Sequence, residues 1–169
     1  MNKPVLLITR QLPDAVAARA QEKFDARLNQ PDGQWSPAEI LEIAQGADAI
    51  LCFSTDRLNA ETIAALAKGM AGSAVPLRVL VECDTGMGRC GVQSPQQALE
   101  LARLVAGSAG LVFGGLMTYP KPDAEVQVEA FFSAARDLIV AELGACPVIS
   151  SGGTPSMAQA ALAPCITEY

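Results

Sequence analysis

Apolar and polar positions along the chain fall into two kinds of stretch that alternate about six times. VLLITR (residues 5–10) is a short apolar run rich in β-branched residues, which predicts a buried strand. Pro13 and Asp14 open a helix that runs to about Phe24, with Pro13 near the first turn, where a missing N–H costs nothing. ARLNQ (26–30) is a second, weaker strand, and PDGQW is a loop by its Pro, Asp and Gly. Ser36, Pro37 and Glu39 sit as N-cap, first and third helical residues, which predicts a capping box and a helix ending at Gly46. AILCFST (49–55) is the third strand, and Asn59 caps the helix NAETIAALAKGM with an acidic first turn. LRVLVECD (77–84) is the fourth strand, followed by a helix that starts at Ser94-Pro95 and stops at Gly107. LVFGGLMTY (111–119) is the fifth, its paired glycines marking a close backbone approach. A long helix over about 123–143, a strand PVISSG (147–152) and a short helix SMAQAAL complete the pattern.

Strands and helices in alternation predict a mostly parallel sheet covered by helices, with right-handed crossovers. A closed eight-stranded barrel takes about 200 residues or more. At 169 residues the expectation is therefore an open, doubly wound α/β sheet.

Composition narrows the function classes. Half of the residues are hydrophobic and 18% charged, enough for a sizeable core. The net charge of −6, with no basic stripe, argues against nucleic acid as a partner. No apolar run approaches a membrane span of about 20 residues, and the opening MNKPVLLITRQLP does not read as a signal peptide, so no membrane and a cytoplasmic setting are expected. The five cysteines form no CxxC pair and read as reduced thiols. The chain has no histidine, which removes the commonest general acid–base group and the commonest metal ligand together. Neither a metal site nor a Ser-His-Asp or Cys-His site is expected. No obligate protein partner is evident.

Two resemblances then enter. Residues 3–66, including GADAILCFSTDRLNAETI, resemble the first half of the flavodoxin-like substrate domain of a D-2-hydroxyacid dehydrogenase of the glyoxylate/hydroxypyruvate reductase kind. Residues 71–169 resemble D-threonine aldolase, a fold-type III pyridoxal-phosphate enzyme built on an alanine-racemase-like barrel, through LRVLVECDTGMGRCGV (77–92), GLVFGGLMTYP (110–120) and PVISSGGTPSM (147–157). GMGRCG (86–91) also fits G-x-G-x-x-G by letter, but no downstream acid is placed for a ribose. Together the resemblances imply one domain over 1–169 made of two fragments, 1–68 and 71–169, with a seam at about 66–76. They imply a single flavodoxin-like sheet of order 2-1-3-4-5, the sixth strand beside the fifth. They also imply an engineered chimera, a scaffold without natural activity. The alternatives are a residual pyridoxal-phosphate or phosphate binder of the aldolase kind, and a natural truncated fragment acting in a complex.

The aldolase resemblance assigns a vestigial site. Arg89 would approach the cofactor ring, Tyr119 would lie beside it, and Ser151, Gly152, Gly153 and Thr154 would hold the phosphate. The phosphate role has a physical basis, since glycines let backbone N–H groups turn inward and a helix N-terminus adds positive potential. The lysine that carries the pyridoxal in that family has no counterpart segment here, Lys3, Lys23, Lys68 and Lys121 being the only lysines. No catalytic residue is therefore assigned. No cofactor is expected beyond weakly held pyridoxal phosphate or phosphate. Read from the residues alone, Arg89 is an exposed strand-end arginine, Tyr119 a packed turn aromatic, and Glu82 and Asp84 a pair of capping or solvated carboxylates.

Overall fold

The computed structural model describes residues 3–53, 56, 59–72 and 75–169, leaving out the side chains of 154–156. The chain folds as two compact units, Met1–Leu77 and Arg78–Tyr169.

The first unit holds β1 (Val5–Ile8), α1 (Asp14–Lys23), β2 (Asp25–Leu28), α2 (Pro37–Ile43), β3 (Ala49–Leu51) and α3 (Ala60–Met70). β1 is central, in the order β2-β1-β3, and runs parallel to both neighbours, with Leu7 opposite Arg27 and Ile50. Its Leu7 and Ile8 are fully buried, as a strand flanked on both edges requires. The capping box forms: the Glu39 N–H donates to Ser36 Oγ at 3.3 Å and the Ser36 N–H to Glu39 Oε2 at 2.8 Å. The Ser36 N–H, together with the Ser36 hydroxyl that donates to the same oxygen at 2.8 Å, holds the Glu39 carboxyl below its usual range. Asn59 caps α3 through the Thr62 N–H at 3.1 Å. At the far end of α2, the Arg27 guanidinium donates to the carbonyls of Ile43 (2.5 Å) and Gln45 (2.7 Å), a cation on the negative end of the helix dipole.

The second unit holds β4 (Leu77–Glu82), α4 (Pro95–Ala106), β5 (Leu111–Thr118), α5 (Glu125–Leu143), β6 (Val148–Ser151) and a 3-10 helix (Thr154–Leu162). The strand order is β4-β5-β6, with β5 and β6 parallel and Thr118 opposite Ser151. Val81, Cys83, Leu116 and Ile149 project from this sheet into a core closed by Ala98 and Ala102 of α4 and by Val128, Phe132, Ala135 and Ile139 of α5. The spacing of the last four is one helical stripe. A Cβ on Gly115 would stand 1.9 Å from the Val148 carbonyl oxygen, and its φ is +135°, so glycine lets β5 and β6 approach. The last residues run beside β6, with a parallel bridge from Ser150 to Glu168.

The flavodoxin-like expectation is overturned. In place of one sheet of order 2-1-3-4-5 with a sixth strand, the described residues form two three-stranded sheets, and β4 is not joined to β3. The apolar run 49–55 predicts a longer strand; among the described residues Ala49–Leu51 enter the ladder and Cys52 and Phe53 do not, while 54–55 lie outside the described residues. A three-residue strand offers little edge for a fourth to pair with. Alternation of strand and helix is common to flavodoxin-like and barrel-type folds, so the pattern could not separate them.

Candidate functional site

The site lies in the second unit, at the C-terminal ends of β4, β5 and β6, the edge where parallel sheets gather loop N–H groups and helix starts. After Glu82 the chain makes a loop over 84–91 and returns alongside itself. The loop neck is closed by Asp84 N–H to Val92 O and Val92 N–H to Glu82 O, both 2.9 Å. Inside it, the Asp84 carboxylate accepts from the N–H groups of Gly86 (2.9 Å) and Gly88 (3.0 Å) and from Gln93 Nε2 (3.0 Å). The Gln93 amide first, then the Gly88 N–H, hold its carboxyl below the usual range. Gly91 turns the loop back at φ +102°, and a Cβ there would stand 2.7 Å from Asp84 N and Cys83 C. Only glycine fits that position.

Two buried hydroxyls tie this loop to β5. Thr118 Oγ1 donates to the Cys83 carbonyl at 2.8 Å, and Thr85 Oγ1 lies 3.0 Å from Thr118 Oγ1. Because the Thr118 proton is committed to Cys83, Thr85 is the donor of the second bond.

Three strand ends meet beyond this link. From the β4 loop, the Arg89 guanidinium carbon stands 4.8 Å above the centre of the Tyr119 ring, in cation–π geometry. Arg89 Nη2 lies 3.7 Å from Glu82 Oε1, and the Cys90 thiol donates to the same oxygen at 3.1 Å. From β6, Gly153 lies against the other partner: a Cβ on it would touch Cε2 and Cζ of Tyr119 at 3.5 Å. Ser151 is buried and gives its N–H to the Glu168 carbonyl at 3.1 Å. The parallel pairing of Thr118 with Ser151 turns the Gly152 N–H to the Thr118 carbonyl, whereas among the described residues no hydrogen bond engages the N–H of Gly153. Thr154 begins the 3-10 helix, and its side chain lies outside the described residues.

The structure therefore brings Arg89, Tyr119 and Gly153 into one cluster with Gly152 and Ser151 adjoining. Glu82 and Asp84 do not act as a pair: Asp84 shapes the loop, whereas Glu82 faces Arg89 and Cys90. Sequence reasoning missed the Glu82–Cys90 contact and the Thr85–Thr118 link, because both join residues brought together only when the loop folds back. Clefts of about 560 Å³ beside Lys3, Gln21 and Asp25 and of about 240 Å³ beside Val112, Phe113 and Leu143 lie elsewhere. At the strand-end cluster Tyr119 is 40% exposed and the Arg89 side chain 43%, so both face solvent. Of the four lysines, only Lys121 belongs to this unit, in the exposed turn between β5 and α5. Among the described residues, no group of three or more Cys, Asp or Glu is placed to hold a metal ion, and no helix is long and apolar enough to cross a membrane.

Over residues 7–167 the sequence matches the family described as alanine racemase, N-terminal domain, and the chain belongs to that family. Its fold class is the barrel-type pyridoxal-phosphate fold of that domain, which corrects the flavodoxin-like assignment. The length argument against a barrel fails because a chain can carry part of one. A solved alanine racemase from Clostridium difficile 630 superposes with a TM-score of 0.59 at 12% identity, covering 99% of this chain and 50% of that one. Among curated proteins, D-threonine aldolase of Arthrobacter sp is 30% identical over 139 residues, 76% of this chain and 36% of its own length. The 3-hydroxy-D-aspartate aldolase of Paracoccus denitrificans (strain Pd 1222) is 28% identical over 135 residues, 71% of this chain and 34% of its own. The chain thus spans about a third of the length of these relatives. Glycerate dehydrogenase of Hyphomicrobium methylovorum is 35% identical over 63 residues, 37% of this chain and 20% of its own. The dehydrogenase likeness is therefore partial, whereas the racemase-domain match runs through both units.

Proposed function

We propose that this chain is the cofactor-holding part of a pyridoxal-phosphate lyase of the D-threonine aldolase kind, acting on β-hydroxy-D-amino acids. The reading is carried by one observation. Arg89, Tyr119 and Gly153 come together from three strand ends beside the Gly153 backbone N–H, which no described residue engages. The relatives named as D-threonine and 3-hydroxy-D-aspartate aldolases support the substrate class. They favour this reading over the expectation of a designed scaffold.

The residues present fit the phosphate and ring of the cofactor. The Gly153 amide, with the backbone at the start of the 3-10 helix, supplies donors for a phosphate at a strand end. The exposed face of Tyr119 flanks a ring, and Arg89 brings a fixed positive charge beside it. When bound, pyridoxal phosphate supplies an electron sink for the carbon freed by Cα–Cβ cleavage. This chain's residues would bind and orient it. Without a lysine in the cluster, affinity is expected on the order of 1 mM, about −4 kcal/mol.

The test is an NMR titration with phosphate and with pyridoxal phosphate. The Gly152 and Gly153 amide signals should move with both ligands, and Gly153→Pro, which removes one donor, should abolish the phosphate response at Gly152. Unmoved amides at saturating ligand, or the same response in the variant, would leave the loop as an ordinary strand-to-helix turn.

A second reading joins a dehydrogenase-type segment to an aldolase-type one in a chain without its own chemistry. The glycerate dehydrogenase likeness over 63 residues favours it, and the racemase-domain match over 7–167 weighs against it.

A further inference from the structure

We propose that Cys90 and Glu82 form a positioning pair that sets where the Arg89 guanidinium stands over Tyr119, and through it how firmly a pyridoxal-type ring is held. The ring-holding half of this proposal rests on the cofactor reading above; the placement of Arg89 does not. A single oxygen, Glu82 Oε1, serves both the Cys90 thiol at 3.1 Å and Arg89 Nη2 at 3.7 Å. A charged hydrogen bond between guanidinium and carboxylate closes to about 2.8 Å when nothing competes. Arg89 stops short of that distance and keeps its charge 4.8 Å above the Tyr119 ring instead. The thiol shares that oxygen and so weakens its pull on the guanidinium, while the carboxylate charge keeps Arg89 from swinging into solvent.

The loop geometry holds this arrangement together. The neck bonds between Glu82, Asp84 and Val92, with the turn at Gly91, bring Cys90 back over Glu82. Glu82 lies between Val81 and Cys83, both in the core against α4 and α5, so its side chain projects from the opposite face of the sheet. Burial, and then the bond to Glu82, push the Cys90 thiol up from its ordinary pKa. It is therefore a protonated donor at neutral pH. Arg89 acts on a ligand directly; Glu82 and Cys90 act only through Arg89.

Removing either member should displace Arg89, by opposite routes. In Glu82→Gln the tether charge is gone. In Cys90→Ala the carboxylate oxygen is open, and Arg89 closes on it and leaves the ring. Cys90→Ser keeps a donor and should keep the placement. The first measurement uses ligand-free protein: the upfield ring-current shift of the Arg89 δ-CH2 protons over Tyr119. Glu82→Gln and Cys90→Ala should lose most of that shift, and Cys90→Ser should retain it. The second is titration of the same samples. Pyridoxal phosphate should bind about three- to five-fold more weakly to the first two variants, the scale of a half-exposed ion pair. Inorganic phosphate, read at the Gly152 and Gly153 amides, should bind equally to all. Unchanged ring-current shifts would overturn the proposal, as would equal pyridoxal phosphate affinities alongside altered shifts. A wild-type protein that binds neither ligand would refute the ring-holding half together with the cofactor reading, while the ring-current comparison would still decide the placement of Arg89.

Discussion

At the scale of single residues, the candidate site was legible where chemistry is written in residue type and hidden where it depends on the folded loop. The glycine-rich stretch after β6 stood out by residue type, Arg89 and Tyr119 only through the aldolase resemblance, and the three come together. The two carboxylates at the end of β4 looked like a pair and are not one. Asp84 serves the loop, and its role gives a pH dependence whose sign is fixed. Its folded pKa is depressed, chiefly by the Gln93 amide. The stability it contributes is therefore present above the unfolded carboxylate pKa and lost as pH falls through the folded one. The protection factors of the Gly86 and Gly88 amides, which correct exchange for its intrinsic pH dependence, should fall below about pH 4, the ordinary aspartate pKa region. Asp84→Asn should show lower protection at neutral pH and little further change on acidification. A wild-type profile that is flat from neutral to acid would remove Asp84 from that role. The threonine link is a stronger test of packing. Thr118→Val leaves the Thr85 hydroxyl and the Cys83 carbonyl without their partner, which should cost about 1–3 kcal/mol in chemical denaturation. A loss below a few tenths of a kcal/mol would mean that water replaces the hydroxyl.

At the scale of elements, helix caps were read correctly because their causes are local. Ser36, Asn59 and Ser94 each accept from the backbone N–H three residues on. The α5 stripe at Val128, Phe132, Ala135 and Ile139 follows helical spacing alone. Strand extent is a matter of partners, and there the reading ran too long: of the apolar run 49–55, Ala49–Leu51 form strand, Cys52 and Phe53 do not, and 54–55 lie outside the described residues. The stripe carries its own prediction. Phe132 is fully buried at the centre of the second unit's core, and Phe132→Ala should destabilise that unit by about 3–5 kcal/mol through lost transfer energy and an unfilled cavity. A calorimetric melt within experimental error of wild type would show that the core can collapse around the gap. Gly115→Ala tests the sheet in the opposite sense, since its methyl group would meet the Val148 carbonyl. It should disrupt the β5–β6 ladder, seen as loss of amide protection at Leu116 and Ile149. Full protection in that variant would show that the strands can part without cost.

At the scale of the whole molecule, sequence pattern gave the alternation of strands and helices but not how the strands are grouped. A βα repeat carries no mark that tells an open sheet from part of a barrel, and length misleads when a chain spans about a third of its curated relatives. The match across 7–167 resolves the family where the pattern could not. The central claim is that the ends of β4, β5 and β6 hold pyridoxal phosphate through the Gly153 amide at the start of the 3-10 helix, with Arg89 and Tyr119 at its ring. The most direct measurement is a crystal structure of the protein grown with pyridoxal phosphate. The account predicts phosphate density against the Gly153 N–H, with the pyridine ring beside Tyr119. Ligand density at another place, or an empty strand-end cluster at a ligand concentration well above about 1 mM, would contradict it.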